Sequence, residues 1–263
     1  MKIKKIKKIK RIKIDLSSLS KVKKIGYDFL SSCKELTTID LKSLNNVEEI
    51  GDYFLSSCEK LTTIDLQSLK KIKKINNKFL ENCKKLQNIN FSSFIELEEI
   101  GNKVLEHCDA LTEINLSSLN KLIKIGNDFL FNCKTKNIII NDLIKLEFIG
   151  NDFLCQNTYL EKIDLSSCIN LKNIGDSFLS KCYSLTEINL SNCKYLENIG
   201  DDFLFQCTKL KILDLSGCIN LKKIGDRFLY DCHLNKIICN KKIKDIIDII
   251  PMKKYTCTNI ILK

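Results

Sequence analysis

The chain has 263 residues, a net charge of +11 and an apolar content of 44%, which fits a folded protein with a buried core rather than a disordered chain. The charge is uneven: residues 1–13 hold eight bases and no acid, residues 234–263 carry +5, and residues 14–233 together carry −2. The near-neutral body lacks the basic stripe typical of nucleic-acid-binding proteins. Because we find neither a secretory leader nor an apolar run of membrane-spanning length, we expect a soluble, intracellular, cytoplasmic protein.

Residues 1–13 carry an isoleucine at every third position with lysines between them. This period suits neither a strand nor a helix. We interpret the segment as a basic N-terminal cap on the open end of the core. A nuclear-localisation-like segment and a segment that binds an anionic surface remain open as alternatives.

An Ile-Gly dipeptide then recurs along most of the chain. Its isoleucines are Ile25, Ile50, Ile100, Ile125, Ile149, Ile174, Ile199 and Ile224, and Ile75-Asn76 fills the one gap. Successive copies are 25 residues apart, except for one step of 24. A period of this length indicates a solenoid in which each unit packs against its neighbours. We therefore predict one elongated domain of nine coils over residues 14–233.

Each unit has the same internal pattern. Apolar and polar residues alternate over residues 38–42, which predicts a short strand, and apolar residues at every third position over residues 44–50 indicate a turning segment rather than a strand. Phe54 and Cys58 follow the glycine at the spacing of one helical face. The residue directly after the glycine position is Asp or Asn in eight of nine units, as in a helix N-cap. Each unit is thus predicted to end in a short helix.

One unit in the middle of the chain is irregular. The segment from Cys133 to Leu143 is one residue short, so Thr135 falls at a leucine position. In the same region Asn157 takes the position that cysteine holds in other units. We expect this coil to pack less well than its neighbours.

The repeat decays after Cys232. Ile237 and Cys239 indicate a last strand, residues 241–250 have the apolar spacing of an amphipathic helix that Pro251 ends, and residues 256–262 read as a final strand. We predict that residues 234–263 form a C-terminal cap, which open-ended solenoids need.

Equivalent positions of a solenoid stack into columns, and two columns contain cysteines. In the second of these, cysteine replaces leucine at Cys168, Cys193 and Cys218, which indicates small core groups. Cysteine pairs at metal-ligand spacing are missing from the sequence, and thiols stay reduced in the cytosol. We therefore predict buried free thiols and no metal site.

Three further columns give expectations about conformation and charge. Because Asn76 replaces one glycine, we predict a positive φ at the glycine positions, with close approach between coils as the alternative. Lys23, Glu48, Lys73 and Glu98 alternate in sign and are expected to pair along one line. A column of Asp and Asn that begins at Asp15 is interpreted as a solvated strand face, although stacked acids also resemble a cation site.

Catalysis finds no support in the sequence. The two histidines, His107 and His233, lack an orienting group for a nucleophile system, and we identify no phosphate-binding loop. We therefore expect no catalytic residues, no cofactor and no enzymatic activity.

Several segments resemble known repeat proteins. Leu-Thr-Thr-Ile-Asp-Leu at residues 36–41 is similar to the strand of leucine-rich repeats, and residues 50–58 resemble the Ile-Gly-x-x-Ala-Phe-x-x-Cys element of the BspA-like subclass. Leu-Asp-Leu-Ser-Gly-Cys at residues 213–218 is also similar to the cysteine-containing repeats of F-box substrate adaptors. The resemblance implies a curved α/β solenoid with a parallel sheet on the concave face and short helices on the convex face. It also implies a non-enzymatic protein-interaction scaffold.

We expect a monomer that binds a protein partner and neither a membrane nor nucleic acid, with a ubiquitin-ligase substrate adaptor as the alternative function. Ile139 is a branched apolar residue in the outward Asp and Asn column, between Asn115 and Asp164. We predict that it anchors the partner within a polar rim. If the missing residue instead shifts the register, Ile139 points inward and Ile138 or Ile140 points out. The proposed partner-binding residues are Glu113, Asn115, Asn137, Ile139, Lys162 and Asp164.

Overall fold

The structure is a computed structural model that describes residues 14–250 and 255–263. The predictions made for residues 1–13 and for Pro251 lie outside these ranges. The described chain forms a parallel β-solenoid of nine coils, which confirms the architecture expected from the repeat.

One parallel sheet passes through all nine coils. Its strands end on the isoleucine before the glycine position, and these isoleucines stand in register, as Ile25 does with Ile50. The turning segment predicted over residues 44–50 is wrong for its last two residues. Glu49 and Ile50 form a strand that pairs with the adjacent coils. The strands are β1 Lys24–Ile25, β2 Glu49–Ile50, β3 Lys74–Ile75, β4 Glu99–Ile100, β6 Lys124–Ile125, β8 Phe148–Ile149, β10 Asn173–Ile174, β12 Asn198–Ile199 and β14 Lys223–Ile224.

The strand predicted from the alternating pattern forms in the later coils. These strands are β5 Glu113–Asn115, β7 Asn137–Ile139, β9 Lys162–Asp164, β11 Glu187–Asn189, β13 Ile212–Asp214, β15 His233–Cys239 and β16 Thr256–Leu262. They form two sheets, one of β5 with β7 and one in the order β16-β15-β13-β11-β9. In the first coils, the equivalent described residues form only one isolated bridge, between Thr63 and Asn88, and the short 3-10 helices Ser17–Leu19 and Lys42–Leu44 come just after the strand position.

The short helix predicted after each glycine was wrong. A turn ribbon takes its place, and positive φ recurs at alternate residues of this ribbon, as at Tyr53 (62°), Leu55 (53°) and Ser57 (58°). Positive φ is uncommon for side chains as bulky as leucine. Hydrogen bonds to both neighbouring coils hold the ribbon, since the Leu55 N–H donates to Phe29 O at 2.9 Å and the Ser57 N–H donates to Glu81 O at 2.7 Å.

The positive φ predicted at the glycine positions was also wrong, because neither the glycines nor Asn76 has a positive φ. Close approach explains the glycines instead: a Cβ built on Gly126 would lie 2.6 Å from the backbone of Gly101. Asn76 fits because its Nδ2 donates to Ile50 O at 2.6 Å. The Gly101 backbone N–H makes the equivalent bond to Ile75 O at 2.7 Å in the next coil.

The Asp and Asn residues after the glycines form a ladder between coils rather than helix caps. From Asn77 to Asp226, the backbone N–H of each donates to the side-chain Oδ1 of its equivalent in the preceding coil, as Asn102 does to Asn77 at 2.9 Å and Asp201 does to Asp176 at 2.9 Å. Asp and Asn recur at this position because their side-chain oxygen accepts a hydrogen bond from the next coil.

Apolar columns fill the interior of the solenoid. Phenylalanine rings stack along one column, with Phe29 and Phe54 centroids 5.3 Å apart and Phe54 and Phe79 centroids 5.2 Å apart. All fourteen cysteines are free thiols; twelve are buried, and Cys33 and Cys257 are half-buried. In the first cysteine column, the thiols from Cys58 to Cys232 each donate to a leucine carbonyl of the preceding coil, as Cys232 Sγ does to Leu204 O at 3.0 Å. Burial raises the pKa of Cys83 to about 12, so this thiol stays protonated at neutral pH.

The alternating charge column forms ion pairs over part of its length. Lys23 and Glu48 are 3.4 Å apart, and a second column beside it pairs Lys24 with Glu49 at 2.7 Å. Further along the first column, Lys172 lies 2.8 Å from Glu147. Each exposed pair contributes about 0–1 kcal/mol, so these contacts favour the stacking register more than they add stability.

The C-terminal elements match the pattern read from the sequence. The helix α1 covers Lys241–Ile249, and its N-cap Asn240 accepts a hydrogen bond from the Ile243 N–H at 2.9 Å. Ile243 and Ile247 on this helix are fully buried. The strand β16 pairs in parallel with β15 and is the last strand of its sheet.

Candidate functional site

The structure places Ile139 in the outward column, as predicted. In β7, Ile138 is buried and Ile139 is half-buried, and Ile140 after the strand is also buried. The pairing of β5 with β7 sets Asn115 opposite Ile139 and Glu113 opposite Asn137. The alternative, in which the missing residue turns Ile139 inward, is therefore wrong.

The effect of the missing residue is seen between β7 and the next strand, β9. The strands β7 and β9 lie next to each other but belong to different sheets, so the parallel ladder is interrupted between them. The ladder resumes at β9, where Lys162 stands in register with Glu187 and Asp164 with Asn189. The irregular coil thus creates a discontinuity on a face that is otherwise regular.

A shallow depression of about 460 Å³ lies at this discontinuity. Five of the six residues that the sequence proposed for partner binding line it, and Asn115 is the register partner of Ile139 beside it. The lining residues are Glu113, Asn137, Ile138, Ile139, Lys162, Ile163, Asp164, Glu187 and Asn189. The structure therefore brings the proposed residues together.

Some polar groups at the rim of the depression bond within the protein, and others are exposed to solvent. Lys162 and Glu187 form an ion pair at 2.7 Å, and the hydrogen bond and charge of Glu187 raise the pKa of Lys162. Asp164 Oδ1 accepts from the Ser166 N–H at 2.8 Å, which fixes the orientation of this carboxylate. The opposite wall carries the exposed side chains of Glu113 and Asn137. The surface offers one apolar anchor with donors and acceptors on both sides.

Sequence reasoning missed three residues of this region. Glu187 and Asn189 line the depression, and Ile212 stands in the outward column after Glu187 with half of its surface exposed (50%). The sequence contained the signal for Ile212, since it is a lone isoleucine in a column of polar residues that begins at Thr38.

In the core of the irregular region, the two polar residues that replace the usual leucine and cysteine interact. Thr135 and Asn157 are both fully buried, and the Thr135 N–H donates to Asn157 Oδ1 at 3.3 Å. Asn157 Nδ2 donates to Leu130 O at 2.6 Å, in place of the thiol bond that cysteine makes in other coils. The coil therefore keeps its buried polar groups satisfied.

Other kinds of site find little support in the described residues. Within residues 14–250 and 255–263, no cluster of three or more His, Cys, Asp or Glu side chains is placed to hold a metal ion. In the same ranges, no helix is long and apolar enough to cross a membrane. The depression is open to solvent and has no buried titratable pair that resembles an acid–base system.

The repeat pattern matches a known family over almost the whole chain. The model of the BspA-type leucine-rich repeat region matches residues 4–135 and 123–250, in six copies. The chain belongs to the BspA-type leucine-rich repeat family. No curated protein sequence matches it. Leucine-rich repeat solenoids generally act as protein-interaction scaffolds and are typically non-enzymatic.

Solved leucine-rich repeat structures are similar to this BspA-type chain at low identity. A leucine-rich repeat protein of Treponema pallidum has 20% identity and a TM-score of 0.44, over 75% of this chain and 71% of the other. One from Bacteroides ovatus has 18% identity and a TM-score of 0.29, over 90% and 87%. The functional domain of InlJ from Listeria monocytogenes, which includes a cysteine ladder, has 16% identity and a TM-score of 0.33, over 80% and 55%.

Proposed function

We propose that this protein is a non-enzymatic scaffold that binds a partner protein, as a monomer, through the depression centred on Ile139. The observation that carries the proposal is the register of β7, which aims an apolar side chain outward within a column of Asp and Asn. Ile139, Glu113, Asn115, Asn137, Lys162 and Asp164 are the proposed contact residues.

The chemistry of the depression suits a protein surface with one protruding apolar side chain. Ile139 supplies the apolar contact, and Asn137 and Glu113 supply a donor and acceptors next to it. The Lys162–Glu187 pair forms the rim on the other side. Interfaces of this kind bury a small apolar centre and keep a polar, hydrated rim.

The test compares Ile139→Asp with two control variants. We expect Ile139→Asp to weaken partner binding by about 2 kcal/mol or more, roughly thirtyfold, because it places a charge at the apolar centre of the interface. Ile95→Asp makes the same change at an isoleucine on a distant turn that is 53% exposed, and Asp40→Lys alters the same column far from the depression. Both should bind like wild type.

The measurement begins with capture on immobilised wild-type protein and on each variant, followed by mass spectrometry. Proteins that are lost with Ile139→Asp alone are then measured by calorimetry, with circular dichroism to check the fold. Equal capture by all four proteins would exclude the depression as the binding site. Recovery of ubiquitin-ligase components would favour the adaptor function over a simple scaffold.

We also propose that the protein works in the cytoplasm. All fourteen cysteines are free thiols in the described structure, and a reducing compartment keeps thiols in this state. Fractionation of the source cells checks this directly, and recovery on the outer cell surface would contradict it.

A further inference from the structure

The C-terminal strand β16 is a long edge strand. Its seven residues pair with β15 along one side, and β16 ends the sheet order. The strand has no charged residue, no glycine and no proline. Proteins commonly protect edge strands by short length, charged side chains or proline, and β16 has none of these protections.

Within residues 14–250 and 255–263, no further strand covers the apolar columns of the core where they reach β16. The column through Ile163, Ile188, Leu213 and Ile237 is at most 5% exposed and ends on Ile260, which is 37% exposed. In the adjacent column, Cys239 is fully buried and its register partner Leu262 is 51% exposed. The inward face of β16 therefore has the composition of an interior layer and the exposure of a surface.

Charge restricts what can cover this edge. Residues 234–263 carry a net charge of +5. In the described part of this segment, three of the five lysines form ion pairs: Lys241 with Asp245, Lys244 with Asp248, and Lys263 with Asp214 at 3.6 Å. A second copy of the same end would bring two positive segments together, and residues 1–13 are also strongly basic. Like charges disfavour both of these occupants.

We propose that β16 is a docking strand for an extended acidic segment of a partner protein, which joins the sheet as its next strand. Backbone hydrogen bonds along the open edge would hold the segment, as in other cases of strand addition. Its apolar residues, at alternate positions, cover Ile260 and Leu262, and its acidic residues meet the basic end of the solenoid. The solenoid's own strands have this alternating pattern, as in Glu187–Asn189 between Leu185 and Leu190.

The test uses two synthetic peptides, each long enough to pair with all of β16. One alternates Ile or Leu with Glu or Asp, and the other carries Lys in place of every acid. Fluorescence anisotropy should show the protein binding the acidic peptide at least about tenfold more tightly than the basic one. About 1 M salt should weaken binding, because the Debye length falls to about 3 Å.

Two variants localise the binding. Ile260→Gln and Leu262→Gln remove the apolar contacts of the inward columns of β16 without adding a charge and should each reduce binding at least about tenfold, whereas Ile95→Gln should not. Amide hydrogen exchange should show added protection over residues 256–262 when the acidic peptide binds the wild type. The two positions guard against one variant that fails to fold, which circular dichroism detects.

Three results would overturn the inference. They are equal binding of the two peptides, binding that both β16 variants retain, and self-association of the free wild type that Ile260→Gln abolishes while the acidic peptide does not bind. The last result would identify a second copy as the occupant. None of them bears on the depression at Ile139, which the Ile139→Asp comparison tests separately.

Discussion

Single glycines set the distance between coils, and their effect differs along the column. A Cβ on Gly126 would lie 2.6 Å from the Gly101 backbone, whereas no atom of the described residues lies within 4 Å of a Cβ on Gly26. We therefore expect Gly126→Ala to lower the free energy of unfolding by about 1–3 kcal/mol, as overpacking does. Gly26→Ala is the matched control and should be close to neutral. Urea unfolding of the two variants measures the difference, and equal losses would contradict the close-approach explanation.

Glu106 is a buried carboxylate on the turn ribbon, with 6% of its surface exposed. Desolvation raises the pKa of this group, although Lys103, 3.2 Å away, opposes the rise. Because the unfolded chain gives up this proton more readily, the contribution of Glu106 to stability falls as pH rises from the unfolded pKa through the raised folded pKa. Above that window the loss is complete.

Glu106→Gln should reveal this dependence. The stability of wild type minus that of Glu106→Gln should decrease with rising pH across the window and then stay level, since glutamine does not titrate. Urea unfolding of both proteins over a pH series measures this difference. A difference that is constant with pH would mean that the carboxyl does not titrate differently in the folded state.

At the scale of an element, the short coil keeps a buried hydrogen bond to the preceding coil. The Asn157 side chain makes this bond where a cysteine thiol makes it in other coils. Asn157 bonds to Leu130 O, Leu154 O and the Thr135 N–H, all within the core. The polar residues Thr135 and Asn157 at core positions predicted that this coil packs less well than its neighbours. In the structure, Leu130 and Leu154 are fully buried around the polar pair.

Replacing Asn157 shows whether its buried hydrogen bonds or its side-chain volume stabilises the coil. Asn157→Ala leaves buried groups unpaired and should cost about 1–3 kcal/mol for each group that stays unsatisfied. Asn157→Cys should retain more stability, because a thiol donates to the preceding coil as Cys182 Sγ does to Leu154 O. Gln156→Ala, next to it, serves as the control. Thermal or urea unfolding that ranks the cysteine variant below the alanine variant would contradict this account.

At the scale of the whole molecule, stability is distributed over coils and their interfaces. Leu116 is fully buried between neighbouring coils, and its N–H donates to Ile139 O at 2.8 Å. Leu116→Ala should lower stability by about 2–5 kcal/mol through the lost burial and the cavity. Hydrogen exchange should locate the loss near this coil, with Asn120→Ala, an exposed position in the same coil, as the control. A uniform loss of protection at both ends would indicate one fully cooperative unit.

The spacing of residues by itself determined the number of coils, the outward column with Ile139 and the elements of the C-terminal segment. These features depend on local periodicity: alternate residues of a strand face opposite sides, and the apolar spacing over residues 241–249 fits only a helix. The residues proposed for partner binding lie at one depression for the same reason, because a fixed repeat places equivalent residues side by side.

Only the tertiary structure decided how the backbone between these positions is bonded. Phe54 and Cys58 fit a helix by spacing, yet the ribbon that carries them bonds to neighbouring coils. Asp and Asn after the glycines fit helix caps, yet they accept hydrogen bonds from equivalent residues one coil away. Both partners of each such bond are far apart in sequence, so no local pattern records them. The exposure of Ile260 and Leu262 on β16 likewise depends on which strand comes last in the stack.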